Sequence, residues 1–120
     1  MLIDSLLNEL VSSVEGATGA IIVAVDGEAV GWGASSFNER LRLRGAYAAF
    51  VMQTFRAAAG RAGLGHLKHL VVEYNGATLV AQEIDNDCSL VLELNATANV
   101  GRAVYRIQAA APKLRHEIMA

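Results

Sequence analysis

The feature that most constrains this fold is a long helical segment, Asn38 to Gly60, that is apolar on two sides. One stripe recurs at steps of three and four and contains Leu41, Gly45, Ala48, Met52, Phe55 and Ala59. A second stripe, on nearly the opposite side, contains Leu43, Tyr47, Phe50, Ala57 and the mixed-character Thr54. A helix lying on a sheet needs only one buried stripe. The presence of two stripes predicts that one covers the sheet and the other contacts another copy, or, as the alternative, that the helix is central and enclosed within a monomer.

Composition supports contact between two copies of the chain. Hydrophobic residues make up 53% of the 120 residues and charged residues 18%, against about 45–50% and about 25% in ordinary soluble domains. Such an apolar surplus is accommodated most readily at a dry interface between subunits. Because Gly45, Ala48 and Ala49 are small enough to let two backbones approach closely, we expect the first stripe to meet the second copy.

The first third of the chain predicts a helix followed by a hairpin. Apolar residues at helical spacing indicate a helix over Leu2–Val14, which Gly16 ends. The run Gly19–Val25 is apolar throughout and is typical of a strand covered on both faces. Asp26-Gly27 predicts a two-residue turn in which both positions have positive φ, and Glu28–Gly33 is the return strand.

The remaining elements are a capped long helix, three strands and a last helix. Ser36-Phe37-Asn38-Glu39 fits a capping box for the long helix. Strands are predicted at Leu67–Tyr74, Ala77–Ile84 and Ser89–Leu94, with turns at Asn75-Gly76 and Asp85-Asn86-Asp87. The last helix starts at Thr97 or Ala98, and Pro112 should kink or break it near Ala111.

These elements define an α+β fold in the order α-β-β-α-β-β-β-α. Tight turns between successive strands predict a roughly five-stranded antiparallel sheet sandwiched between helices. The length predicts one domain over residues 1–120.

Several classes of function are disfavoured by charge and by missing motifs. A net charge of −2 gives no dominant polyanion-binding surface, so we expect no nucleic-acid partner. No uncharged apolar stretch reaches the ~20 residues of a membrane helix. The start of the chain does not have the pattern of a signal peptide, and the single cysteine, Cys88, suggests a reducing compartment, so we expect a cytoplasmic protein.

We also expect neither an enzyme nor a metal or cofactor site. The chain contains no phosphate-binding loop motif and no acid–base or nucleophile pairing that could be proposed as catalytic. His66 and His69 would point to opposite faces of a strand, and further zinc ligands are missing.

Short blocks along the chain resemble the roadblock/light-chain-7 superfamily. They are Glu15-Gly16-Ala17-Thr18-Gly19-Ala20-Ile21-Ile22-Val23 with Asp26-Gly27, the segment Asp85 to Leu94, and Asn99-Val100-Gly101-Arg102-Ala103. The resemblance runs from about Leu2 to Ile118. The C-terminal helix makes the chain more similar to the prokaryotic gliding-motility GTPase-regulator subgroup than to the short dynein light chains.

The resemblance implies a homodimer formed through the second helix and third strand. With the first stripe, this gives the predicted dimer interface: Leu41, Gly45, Ala48, Ala49, Met52, Phe55, Leu70 and Val72. It also implies a small Ras-like GTPase as partner, for which the chain acts as an activator or a scaffold and has no catalytic residue set. The alternatives are a structural subunit of a larger assembly, as in light-chain-type members, and, ranked below it, a small-molecule sensing module.

Candidate partner-binding residues are the clustered arginines and the lone tryptophan: Arg40, Arg44, Arg56 and Trp32. An arginine could stabilise a GTPase transition state, or the regulator could reposition the GTPase's own residues. Trp32, near the end of a strand, is either an exposed anchor for a partner or a core residue.

Overall fold

The structure is a computed structural model that describes residues 2–33, 39–85 and 87–119. Within these ranges the elements are α1 Leu2–Ser13, β1 Ala17–Ala24, β2 Ala29–Gly33, α2 Glu39–Arg61, β3 Leu70–Glu73, β4 Thr78–Glu83, β5 Cys88–Leu94 and α3 Val100–Met119. The predicted order of elements and the α+β class are confirmed. β3 is four residues long, much shorter than the predicted Leu67–Tyr74.

The described strands form one antiparallel sheet in the order β2-β1-β5-β4-β3. β5 lies in the middle, and its Val91 is in register with Ile21 of β1 on one side and with Ala81 of β4 on the other. β2 and β3 are the two edges of the sheet among the described residues. The last strand in sequence therefore joins the first hairpin to the second.

The sheet separates two apolar layers, because successive strand residues point to opposite faces. Ile22 and Leu92 point to the face covered by α1 and α3, whereas Ile21 and Val91 point to the face covered by α2. All four side chains are fully buried. The prediction that β1 is covered on both faces is therefore confirmed.

The β1–β2 turn differs from the prediction. The Gly27 amide donates to the Ala24 carbonyl, and the Ala24 amide donates to the Glu28 carbonyl, each at 2.9 Å. The loop therefore has three residues, with Gly27 at φ 89° and Asp26 outside the positive-φ region. A left-handed glycine after a tight turn is an established hairpin closure, here supported by Asp26 Oδ1 accepting from the Glu28 amide at 3.0 Å.

The Asn75-Gly76 hairpin lies where it was predicted. The Tyr74 amide donates to the Ala77 carbonyl at 2.8 Å and closes the turn. Neither Asn75 nor Gly76 has positive φ, so this turn does not depend on the left-handed conformations that favour that dipeptide.

Both long helices start close to the predicted positions. α2 begins at Glu39, and the rest of the proposed capping box, Ser36 to Asn38, lies outside the described residues. Asn99 caps α3, since its Oδ1 accepts from the Arg102 amide at 2.9 Å.

Pro112 does not break α3, which continues to Met119. The proline is exposed, while Ala111 and Leu114 on either side of it are buried against the sheet. Their burial stabilises the helix on both sides of the proline, and the carbonyl that lacks a donor belongs to the exposed Gln108, where water can reach it.

Candidate interaction surface

The inner side of α2 packs on the chain's own sheet. Five residues of the predicted dimer interface are buried there: Leu41, Gly45, Ala48, Ala49 and Met52. A Cβ added at Gly45 would lie 2.7 Å from Ile21 Cγ2. The small residues thus bring α2 close to β1, and their assignment to contact with a second copy is wrong.

The outer side of α2 carries large apolar side chains that reach solvent. Leu43, Tyr47 and Phe50, here called the outer stripe, are all exposed, and Phe50 is 70% exposed. They belong to the second stripe seen in the sequence, which had not been assigned to a partner. Exposed aromatic side chains grouped on one helix mark a surface for protein contact.

The other end of the sheet has an edge next to α2. β3 pairs with β4 only, so its opposite edge carries unpaired backbone groups among the described residues. Leu70 and Val72 are half-buried and point to the α2 face, while Val71 and Glu73 are exposed. Leu70, Val72 and the 52%-exposed Phe55 therefore remain available to a second copy.

A cleft of about 350 Å³ separates α2 from the β3–β4 hairpin. We call it the hairpin cleft, and its lining residues are Arg44, Tyr47, Tyr74, Gly76, Ala77 and Leu79. Ala77 and Leu79 are buried and form an apolar floor, while both tyrosine side chains are exposed at the walls. Among the described residues that line it, Arg44 has the only charged side chain.

A buried carboxylate holds Arg44 in place. Glu93 lies on β5 beneath α2, and its side chain is 2% exposed. Arg44 Nη1 donates to Glu93 Oε2 at 2.7 Å, Thr18 Oγ1 donates to Oε1 at 2.7 Å, and Arg40 Nη2 lies 3.6 Å from Oε1. This network connects β1, β5 and the first half of α2.

The Glu93 network also sets the protonation state of that carboxyl. Burial acts to raise the pKa of Glu93, but hydrogen bonds from Thr18 and Arg44 and the charges of Arg44 and Arg40 outweigh it. The pKa of Glu93 is consequently lowered from its ordinary value, and the group is ionised at neutral pH.

The candidate partner-binding residues differ in their accessibility. Arg56 Nη2 lies 2.6 Å from Glu83 Oε2, so it is held by its own chain as Arg44 is. Arg40 is the most exposed of the three, with 59% of its side chain accessible. Trp32 is on the edge strand β2, is partly exposed, and shares the α2 face with its cross-strand neighbour Ile21. Trp32 is therefore neither a fully buried core residue nor a fully exposed anchor for a partner.

Glu93 was not singled out from the sequence. A signal was present, because it is the one charged residue in the otherwise apolar run Leu90–Leu94. Its position two residues from Val91 places it on the same face of β5, under α2, where a buried carboxylate needs a cation.

Burial, followed by the charges of Asp85 and Asp87, raises the pKa of the Cys88 thiol, which opposes thiolate formation. Over residues 2–33, 39–85 and 87–119 there is no group of three side chains suited to holding a metal ion. The helices in these ranges are too short or too polar to cross a membrane.

Known structures resemble this chain over nearly its full length, although no protein-family model and no curated protein sequence matches it. The roadblock/LC7 domain from Streptomyces avermitilis has a TM-score of 0.87 and 21% identity, covering 98% of both chains. MglC from Myxococcus xanthus has a TM-score of 0.70 and 28% identity, covering 98% of this chain and 99% of that chain. An MglB with a tetrameric arrangement has a TM-score of 0.84 and 19% identity, covering 96% and 86%.

The chain therefore has the roadblock/light-chain-7 fold, and the resemblance predicted from its sequence is confirmed. Among proteins of that fold, those it is similar to include the gliding proteins MglB and MglC.

Proposed function

We propose that this chain is a non-enzymatic, dimeric regulator or scaffold that binds a small Ras-like GTPase. The roadblock fold and the resemblance to the gliding-motility GTPase-regulator subgroup support the proposal. The observation that carries it is the outer stripe. Leu43, Tyr47 and Phe50 are exposed on a helix whose inner side is already covered by its own sheet, so they remain for a partner.

Two copies associate through β3 and through the flank of α2 that borders it. Phe55, Leu70 and Val72 stay in the interface predicted from the sequence, and Tyr47, at the edge of the outer stripe, joins them, which leaves Leu43 and Phe50 of that stripe for the GTPase. Pairing of two β3 strands would satisfy the backbone groups of an otherwise open edge. The isologous contact that results is the commonest arrangement of soluble dimers.

The dimer creates a larger surface for the GTPase. The two α2 helices would lie side by side on one face of a continuous sheet, so that their outer stripes form a single apolar surface. Phe50 near its centre and Leu43 farther along each helix supply the buried anchors that protein interfaces require. Arg40, the most exposed arginine of the cluster, supplies a charge at its rim.

Regulation by this surface does not depend on Arg44 or Arg56. Each guanidinium lies within 2.7 Å of a glutamate oxygen of its own chain, and would have to leave that carboxylate to reach a nucleotide. These contacts favour a scaffolding role, or repositioning of the GTPase's own residues, over a mechanism in which Arg44 or Arg56 stabilises the GTPase transition state directly.

The test is binding to candidate small GTPases loaded with GDP or with a non-hydrolysable GTP analogue. Phe50→Glu should abolish nucleotide-dependent binding and leave the dimer intact. Tyr105→Glu is the matched control, because Tyr105 is 66% exposed on α3, on the other face of the sheet. Equal loss of binding in both variants, or in neither, would contradict the assignment of the outer stripe.

A structural subunit of a larger assembly is the second candidate function. The similarity to an MglB with a tetrameric arrangement favours it, since that arrangement shows the fold assembling beyond a dimer. Stable co-purification with other subunits, independent of any nucleotide, would support this candidate over the first.

A further inference from the structure

We propose that the hairpin cleft is a socket for Phe55 of a second copy, with two such sockets related by a two-fold axis that passes α2 near Val51. This inference rests on the dimer that forms part of the proposed function. It adds the partner side chain that fills the cleft, the orientation of the two helices and their register.

Phe55 lies on the same flank of α2 as the cleft. Tyr47 lines the cleft, and Val51 and Phe55 follow at steps of four, which keeps them on one side of the helix. The opposite flank faces the β1–β2 loop, where Gln53 Nε2 donates to the Val25 carbonyl at 3.1 Å. The flank with Tyr47, Val51 and Phe55 therefore borders the β3 edge of the sheet.

Two-fold symmetry places the hairpin cleft of each copy opposite the Phe55 ring of the other. In an isologous interface, residue i contacts residue j of the second copy and residue j contacts residue i. Tyr47 and Phe55 are equidistant from Val51 along the helix, roughly 6 Å on either side at 1.5 Å rise per residue. Two antiparallel α2 helices that cross at Val51 consequently place Phe55 of the partner subunit opposite Tyr47, and the reverse contact is identical.

The chemistry of the cleft suits an aromatic ring. Tyr47 and Tyr74 provide aromatic walls, Leu79 provides a buried apolar floor, and such surroundings favour edge-to-face contact with a phenyl group. Arg44 adds a cation that Glu93 holds at 2.7 Å, which allows a cation–π contact without further ordering of the arginine. Phe55 meanwhile is 52% exposed in the single chain, so its burial supplies apolar contact to both sides.

The geometry is tested by disulfide trapping in full-length protein in which Cys88 is replaced by Ser. Val51→Cys should cross-link with itself, because it lies on the axis. Tyr47→Cys and Phe55→Cys should give little cross-linking separately and a heterodisulfide when the two variants are mixed. Phe50→Cys, on the outer stripe, is the control and should remain uncross-linked.

Dimer affinity provides a second readout. Phe55→Ala should raise the dissociation constant of the dimer by about 10–100-fold, as expected for a central aromatic anchor, whereas Phe50→Ala should change it little. Circular dichroism should show both variants folded, since both side chains are largely outside the core.

The outcomes separate the socket from the proposed function. A stable dimer with no Tyr47–Phe55 cross-link and no effect of Phe55→Ala would overturn the socket and leave the dimer standing. A chain that remains monomeric at high concentration would overturn the socket and the proposed dimer together. GTPase binding is measured independently, so its failure alone leaves the socket supported by the cross-links.

Discussion

Removing the arginine from the buried Arg44–Glu93 pair should destabilise the protein more than neutralising the glutamate, although both changes remove the same contact. The two side chains differ in their access to water. The Glu93 side chain is 2% exposed and that of Arg44 is 38% exposed. Arg44→Met therefore leaves a carboxylate in the core, whereas Glu93→Gln leaves a cation that can turn towards solvent.

The structure sets the size of the difference. Loss of one partner from a fully buried pair costs about 3–5 kcal/mol. Arg40 at 3.6 Å and the Thr18 hydroxyl at 2.7 Å still stabilise the Glu93 carboxylate, so we expect about 2–3 kcal/mol for Arg44→Met. Glu93→Gln retains an acceptor for Thr18, and we expect about 1 kcal/mol, the net value of a lost hydrogen bond.

Urea denaturation followed by circular dichroism at pH 7 measures both values, at one protein concentration because association shifts apparent stability. Arg42→Met is the control, since Arg42 pairs with the exposed Glu39 and surface pairs contribute about 0–1 kcal/mol. If Glu93→Gln proves as costly as Arg44→Met, the explanation from unequal burial is wrong.

Three further predictions concern the stability of the folded subunit. Because the pKa of Glu93 is lowered from its ordinary value of 4.5, its stabilising contribution is present above that value and is lost as pH falls through the lowered pKa, so the urea midpoints of wild type and Glu93→Gln should differ most above pH 4.5 and converge as pH falls below it. Ala48→Glu places a charge against the sheet and should unfold the subunit, so a folded monomer by circular dichroism and ultracentrifugation would contradict the placement of α2. Gly33→Ala should lower thermal stability strongly, since its Cβ would lie 2.6 Å from the Leu7 backbone carbon, whereas Gly60→Ala, with open space around it, should raise stability by up to about 1 kcal/mol.

Most of the fold was predictable because it depends on local patterns. Ile21 and Ile22 are both apolar in one short β-branched run, which indicates a strand buried on two faces, and the structure places them in different layers. Asn75-Gly76 between two apolar runs indicated the second hairpin correctly. Such signals depend on neighbouring residues only, and distant parts of the chain do not alter them.

The direction in which α2 faces was not predictable from its periodicity. Both stripes are apolar, so spacing defines two faces without stating which one meets the sheet. Gly45 and Ala48 suggested close approach of another backbone, and that backbone is β1 of the same chain. The bulky Tyr47 and Phe50 on the other stripe were the usable signal, because large side chains cannot fit where a helix lies tightly on a sheet.

The Arg44–Glu93 contact lay beyond sequence reasoning for a related reason. The two residues are 49 positions apart, and their meeting depends on β5 lying beneath the first half of α2. The three-residue loop at Asp26-Gly27 also needed the structure, because the same dipeptide closes loops of two or three residues.

The central position of β5 has a consequence for synthesis of the chain. β1 pairs with β5 across a separation of 70 residues, as between Ile21 and Val91, so one edge of β1 has no partner until β5 has been made. At about 5–20 residues per second, the ribosome needs roughly 4–14 s to cover that interval. During this time the nascent chain displays residues 17–24, apolar on both faces and open along one side, to any chaperone or other unfinished chain nearby. This segment is therefore where co-translational protection of the protein should concentrate, and where mispairing between neighbouring chains on one message should begin.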